Sequence, residues 1–150
     1  MPAPRPPSHP HWWSDIHRSP TVNRRLGISL GFIAGATNAG GFLAIGQYTS
    51  HMTGLLSAVA DNLVLGQFLL VAASLAAIAA FVGGAMTTAL MVNWGLRRQL
   101  RSSYARPLAL EVSLLLVFGI FGAALQLHAA LFAPLTVLLL CYIMGLQNAV

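Results

Sequence analysis

Charged residues are what this sequence has least of. Only 7% of its 150 residues are charged, as eight arginines, no lysine and three acids. Soluble domains carry roughly 25% charged residues, which form their solvated shell. With 57% hydrophobic residues and a mean hydropathy of +0.73, this chain cannot build such a shell. The composition excludes a soluble globule and indicates an integral membrane protein, with the lipid bilayer as its first partner.

Cysteine and catalytic motifs are also scarce. The single cysteine, Cys141, lies inside an apolar run, so no disulfide can form within the chain. The sequence contains no Gly-x-Ser-x-Gly, no His-Glu-x-x-His and no glycine-rich phosphate loop. Its five histidines and three acids show no spacing typical of metal ligands. We therefore expect no enzyme, no metal and no other cofactor.

The arginines stand beside apolar runs rather than on a basic face. Four precede the first run and four lie between residues 97 and 106. This placement is typical of the positive-inside pattern of membrane proteins, and it excludes a nucleic-acid partner. Residues 1–25 hold six of the eight prolines and are predicted to form a cytoplasmic tail, because proline at this density prevents a helix.

Apolar runs predict an all-α, polytopic membrane domain over residues 26–150. A span needs about 20 apolar residues. The predicted spans are 26–46, 68–92, 107–126 and 134–150. A secretory signal peptide is an alternative for the first run, but the run continues well past the weak cleavage-like sequence at residues 34–36.

The stretch between the first two spans is too short to cross a bilayer. A helix over residues 53–65 covers only about 20 Å. It is predicted to be a re-entrant or interfacial half-helix, with Thr49 or Ser50 as its N-cap. If this helix does not cross, both arginine clusters lie on one side, which is then cytoplasmic. The chain is therefore predicted to be a multi-pass protein with a cytoplasmic N-terminus.

Two segments 110 residues apart resemble each other. Ile33-Ala-Gly-Ala-Thr-Asn-Ala39 and Ile143-Met-Gly-Leu-Gln-Asn-Ala149 share four identities around a polar asparagine. Because three spans separate corresponding points, the second copy would enter the membrane from the opposite side. This pattern predicts one half of an inverted repeat, an architecture that many secondary transporters use.

The same residues resemble the YoaK-like family of bacterial inner-membrane proteins, a domain of unknown function. The likeness rests on Gly35-Ala-Thr-Asn-Ala39, on Gly46-Gln-Tyr-Thr-Ser-His-Met-Thr-Gly54 and on the Asp61–Asn62 pair. Gly145-Leu-Gln-Asn-Ala149 is a further family-like block. The resemblance implies an inner-membrane location. Since family members are about half as long again with roughly six spans, it also implies a truncated member or a fragment. Leu55 stands where many members have asparagine.

Polar residues in and after the first span predict where a site lies. Thr53, Ser57 and Asp61 are spaced four apart and so share one helical face. Intramembrane polar groups usually face a bundle interior or a watery cavity. We therefore predict a substrate site lined by Asn38, His51, Thr53, Ser57, Asp61 and Asn148. Two alternatives stay open, namely that Asn38 makes a structural hydrogen bond and that Asp61 is a solvated interfacial charge.

Two functions follow from these features. The first is a transporter or solute-binding membrane protein for a small molecule. The alternative is an accessory or assembly subunit that acts through helix contacts along Gly27, Gly31 and Gly35, a stripe of small residues. Its partner would be a second copy of the chain or a second half-length protein. Glu111 is expected to be a surface charge that snorkels or pairs with Arg106.

Overall fold

The computed structural model describes residues 20–45, 49–100, 103–125 and 129–150. These residues form five α-helices, so the all-α class is confirmed. They are α1 (Pro20–Ile45), α2 (Met52–Val64), α3 (Phe68–Arg97), α4 (Ala105–Leu125) and α5 (Ala129–Asn148). Nearly all of the predicted tail lies outside the described residues.

Helix ends follow local chemistry. Pro20 opens α1 and Pro107 lies in the first turn of α4, where the missing N–H has no helical acceptor. α2 is followed by Gly66, whose φ of 71° is the left-handed conformation that commonly stops a helix. The last predicted span begins at residue 134, whereas α5 begins at Ala129. Pro134 lies inside α5, in its second turn, where its missing N–H removes one helical hydrogen bond.

α5 is the central helix of the bundle. It packs against α1, α3 and α4, while α2 packs against α3. Five of the seven buried hydrophobic residues of the described chain belong to its second half: Leu140, Cys141, Ile143, Met144 and Leu146. The core of the described chain is therefore centred on the C-terminal half of α5, and the longer helices α1, α3 and α4 pack against α5.

α3 and α5 approach so closely that their backbones touch. A Cβ on Gly84 would collide with the backbone oxygen of Tyr142, and a Cβ on Gly145 with the backbone oxygen of Phe81. Small residues permit this kind of helix crossing in membranes, where dispersion contacts and hydrogen bonds drive association. The double glycine Gly83–Gly84 therefore has the packing role that its position inside an apolar run indicates.

Hydroxyl groups add hydrogen bonds on either side of this crossing. Thr88 Oγ1 donates to the backbone oxygen of Leu146 at 2.9 Å. Thr87 Oγ1 and the Tyr142 hydroxyl lie 2.8 Å apart. Residues near the starts of both helices, Leu70 and Ala73 on α3 and Ala133 and Pro134 on α5, line a common pocket, so these two helices run parallel.

α1 runs in the opposite direction along α5. Gln147 Nε2 donates to the backbone oxygen of Leu30 at 2.7 Å, near the start of α1. Farther along α1, a Cβ on Gly41 would lie 3.0 Å from Cδ1 of Leu140. Since α5 is parallel to α3, the start of α1 and the end of α3 lie at the same end of the bundle. We call it the arginine end, after Arg24, Arg25, Arg97, Arg98 and Arg106.

The surface of the bundle is strongly apolar. Within the described residues, two helical stretches are long and apolar enough to cross a membrane, Pro20–Leu43 and Phe68–Arg97, with mean hydropathies of 1.4 and 2.3. Only 11% of each apolar window is buried, whereas a core helix of a soluble protein is mostly buried. Met52–Val64 and Ala133–Asn148 are shorter apolar helices. This surface is compatible with a membrane protein.

Gly145→Ala is expected to destabilise the bundle, because the new methyl group must push α3 away from α5. Overpacking of this kind costs about 1–3 kcal/mol or more. Gly119→Ala is the matched control: no described atom lies within 4 Å of its Cβ position. That change should stabilise α4 by up to ~1 kcal/mol through helix propensity. Thermal unfolding in detergent measures both; equal effects of the two changes would contradict the crossing.

Candidate functional site

One asparagine fixes the chain between α1 and α2. Asn38 Oδ1 accepts hydrogen bonds from the backbone N–H groups of Thr49 at 3.0 Å and Ser50 at 3.2 Å. Asn38 lies about two turns before the end of α1. Residues 49 and 50 therefore lie beside Asn38, farther back along α1 than Ile45.

Contacts with α5 show how deep in the bundle Thr49 lies. Thr49 is 1% exposed, and its backbone oxygen accepts a hydrogen bond from Cys141 Sγ at 3.4 Å. Cys141 lies beyond the midpoint of α5, far from the helix start. α2 therefore begins level with the second half of α5 and runs to the start of α3, although none of its own residues is buried. This placement is the geometry of a half-helix that enters and leaves at one end.

The N-cap of α2 is His51, so the prediction of Thr49 or Ser50 at that position is wrong. The backbone oxygen of His51 accepts the first helical bond, from the N–H of Leu55 at 3.1 Å. Asn38 already serves the N–H groups of Thr49 and Ser50, so these residues are held outside the helix. No side chain caps α2; the N–H of Met52, its first residue, donates instead to the backbone oxygen of Ser50 at 3.1 Å.

A pocket of about 810 Å³ lies between α2, α3 and α5. Three polar residues, His51, Asn62 and Ser74, line it among alanine, leucine, valine and proline side chains. Volume and lining are those of ordinary small-molecule sites, which are mostly apolar with a few polar groups that fix orientation. The described part of the pocket carries no acid and no arginine.

The pocket uses a different face of α2 from the one predicted. His51, Leu55, Ala58 and Asn62 line it, at helical spacings of three and four residues. The predicted stripe of Thr53, Ser57 and Asp61 is exposed and lies outside the lining. Ser57 Oγ donates back to the backbone oxygen of Thr53 at 3.1 Å. Successive helical residues point about 100° apart, which separates the two faces.

The remaining predicted site residues lie apart from the pocket. Asn38 makes the structural hydrogen bonds described above. Asn148, at the arginine end, is exposed, and its Nδ2 donates to the backbone oxygen of Met144 at 3.0 Å. Of the six predicted residues, the structure brings only His51 to the pocket.

Two pocket residues were not among the predicted site residues. In the sequence, Asn62 stands out only as part of the family-like Asp61–Asn62 pair. In the structure its Nδ2 donates to the backbone oxygen of Ala58 at 2.8 Å. Ser74 carried a usable signal, because it is the only polar residue in the apolar run from Phe68 to Val82. A lone hydroxyl in such a run indicates a candidate site, just as an asparagine in the middle of a span does.

The predicted glycine stripe is open on α1. Gly27, Gly31 and Gly35 are exposed, and no described atom lies within 4 Å of a Cβ built on any of them. Within the described chain, close helix contact is instead made by Gly84 and Gly145. The stripe on α1 is therefore uncovered by the part of the chain that the structure describes.

Glu111 is not the surface charge that the sequence predicted. It is 3% exposed, and its Oε2 atom has no hydrogen-bond partner in the described structure. Arg106 lies over the Trp94 ring instead, with its guanidinium carbon 4.3 Å from the ring centroid. The reason is helical geometry: residues five apart point about 140° away from each other. Arg98 also lies over this ring, at 4.7 Å.

Asn38→Ala is expected to release the segment before α2, because two backbone N–H groups lose their acceptor. At 0.5–1.5 kcal/mol per hydrogen bond, the loss of unfolding free energy is roughly 1–3 kcal/mol. Amide hydrogen exchange at Thr49 and Ser50 should become faster. Asn148→Ala is the control, since it removes one bond within a helix end. If the amides of Thr49 and Ser50 exchange equally in both variants, Asn38 does not hold them.

Comparison with known proteins gives one match. The family model described as "Protein of unknown function (DUF1275)" covers residues 26–150. No curated protein and no solved structure matches the chain. The match agrees with the YoaK-like resemblance in the sequence and confirms it. Everything from the beginning of the first apolar run onward is therefore family sequence, and the chain belongs to the DUF1275 family.

Proposed function

We propose that this protein is a transporter or solute-binding protein of the bacterial inner membrane, and that the pocket between α2, α3 and α5 is its solute site. The observation that carries the proposal is an open pocket of about 810 Å³ lined by few polar groups in a strongly apolar bundle. The proposal involves no catalysis and no cofactor.

In this proposal α1, α3, α4 and α5 cross the membrane and α2 is re-entrant. The support is geometric, because α2 is only 13 residues long and begins at the depth of Cys141. The start of α1 and the end of α3 lie at one end, as the positive-inside rule requires if the arginine end faces the cytoplasm. α1 and α5 run antiparallel, which agrees with an inverted repeat.

The lining favours a small, largely apolar solute with one or two hydrogen-bonding groups. His51 and Asn62 stand on one wall and Ser74 on the other. A charged solute would meet no opposite charge among the described lining residues. The exposed stripe of Thr53, Ser57 and Asp61 stays a second candidate surface on the same half-helix.

Ala73→Phe is expected to weaken solute binding strongly, because Ala73 lines the pocket and a phenyl ring there would take space that the solute needs. Binding is detected as a rise in the melting temperature of the purified protein during a screen of uncharged small solutes. Bound ligand at a hundredfold excess over Kd adds about 2.7 kcal/mol of stability. Ala72→Phe is the matched control, since its side chain is exposed and outside the lining.

Asp61→Asn separates the two candidate surfaces. If the pocket is the site, a solute that stabilises the wild type should bind this variant equally well. Loss of binding in Asp61→Asn with retention in Ala73→Phe would move the site to the exposed stripe. Absence of any stabilising solute for well-folded protein would contradict the solute-binding proposal.

The alternative function, an accessory or assembly subunit, is favoured by one observation. The glycine face of α1 is open, so another helix could approach its backbone closely. Gly31→Leu and Gly35→Leu should then dissociate a complex with a second copy or another membrane protein, as measured by crosslinking in native membranes. Gly119→Leu, at an equally open position on α4, is the control. An unchanged complex in all three variants would contradict this function.

A further inference from the structure

Glu111 is a buried acid that neither proposed function uses. Its side chain is enclosed by the chain itself, since only 3% remains exposed. It lies on α4, which packs against α5 and α3. The Oε2 atom is fully buried and has no hydrogen-bond partner in the described structure. No outside molecule reaches this oxygen without a movement of the helices.

The titratable groups on α4 and on the two helices packed against it do not neutralise this carboxyl. In the described part they are Arg97 and Arg98 at the end of α3, Tyr104 and Arg106 around the start of α4, and Cys141 and Tyr142 on α5. No ion pair or hydrogen bond joins an arginine of this set to Glu111 in the described structure.

Most of these groups have other partners. The guanidinium groups of Arg98 and Arg106 both lie over the Trp94 ring. The Tyr142 hydroxyl is within hydrogen-bond distance of Thr87 Oγ1, and the Cys141 thiol donates to a backbone oxygen. Arg98 and Arg106 are thus held on an exposed indole at the arginine end.

A buried carboxylate without a partner is strongly unfavourable, because it has lost its hydration and gained no opposite charge. The neutral acid avoids that loss. We propose that Glu111 is an internal proton-binding site: the closed bundle holds its carboxyl protonated, and a separation of α4 from α5 that admits water releases the proton. The site is on α4, outside the solute pocket, and it does not depend on solute binding there.

Infrared spectroscopy of the protein in lipid bilayers tests this directly. At neutral pH the wild type should show the C=O stretch of a protonated carboxylic acid. Glu111→Gln should lose this band, because the amide has no such vibration. Asp61→Asn is the matched control: Asp61 is the other acid of the described helices and is exposed, so its replacement should leave the band intact.

Each outcome decides the question. A wild type without a protonated-acid band has an ionised Glu111, and the proposal is overturned. A band that persists in Glu111→Gln belongs to another group and overturns it equally. If Glu111→Gln does not fold, Glu111→Asp keeps the carboxyl and should shift the band; an unshifted band counts against Glu111. Raising the pH should then remove the wild-type band in one step, and each chain should consume one equivalent of base in that step.

Discussion

The backbone contact between α3 and α5 is the constraint on which the rest of the described structure depends. Gly84 and Gly145 let the two helices touch, and any side chain at either position would collide with backbone atoms of the other helix. The contact fixes α5 in the centre of the bundle, where α1 and α4 also pack against it. The same contact sets the distance between the starts of α3 and α5. The pocket occupies the space that opens where these two helices diverge.

Much of this fold could be predicted from the sequence because apolar runs of sufficient length become helices. The half-helix was predictable for the same reason, since residues 53–65 are too few to cross and α2 is found at Met52–Val64. Arginine placement indicated that both clusters share one end. The contacts of α1 with α5 agree with that, because Gln147 meets Leu30 near the start of α1.

The site was less predictable, because sequence spacing gives the faces of a helix but not which face meets a neighbour. Thr53, Ser57 and Asp61 do share one face of α2, yet that face is exposed and the adjacent one lines the pocket. The face of α2 that meets its neighbours is set by long-range packing, which one sequence does not contain. The Glu111 prediction failed for a different reason: its five-residue separation from Arg106 already points the two side chains apart, and Arg106 lies on Trp94 instead.

Asn38 holds the start of α2 with a single oxygen atom, and this has a consequence for the pocket. Among the described helices, α2 packs against α3 only, so its place in the bundle depends on that contact and on the segment that Asn38 holds before it. If the attachment breaks, α2 can swing away with its own helical bonds intact. The total helix content would then hardly change, although the pocket between α2, α3 and α5 would be lost. A preparation can thus be fully helical by circular dichroism and yet have lost its pocket.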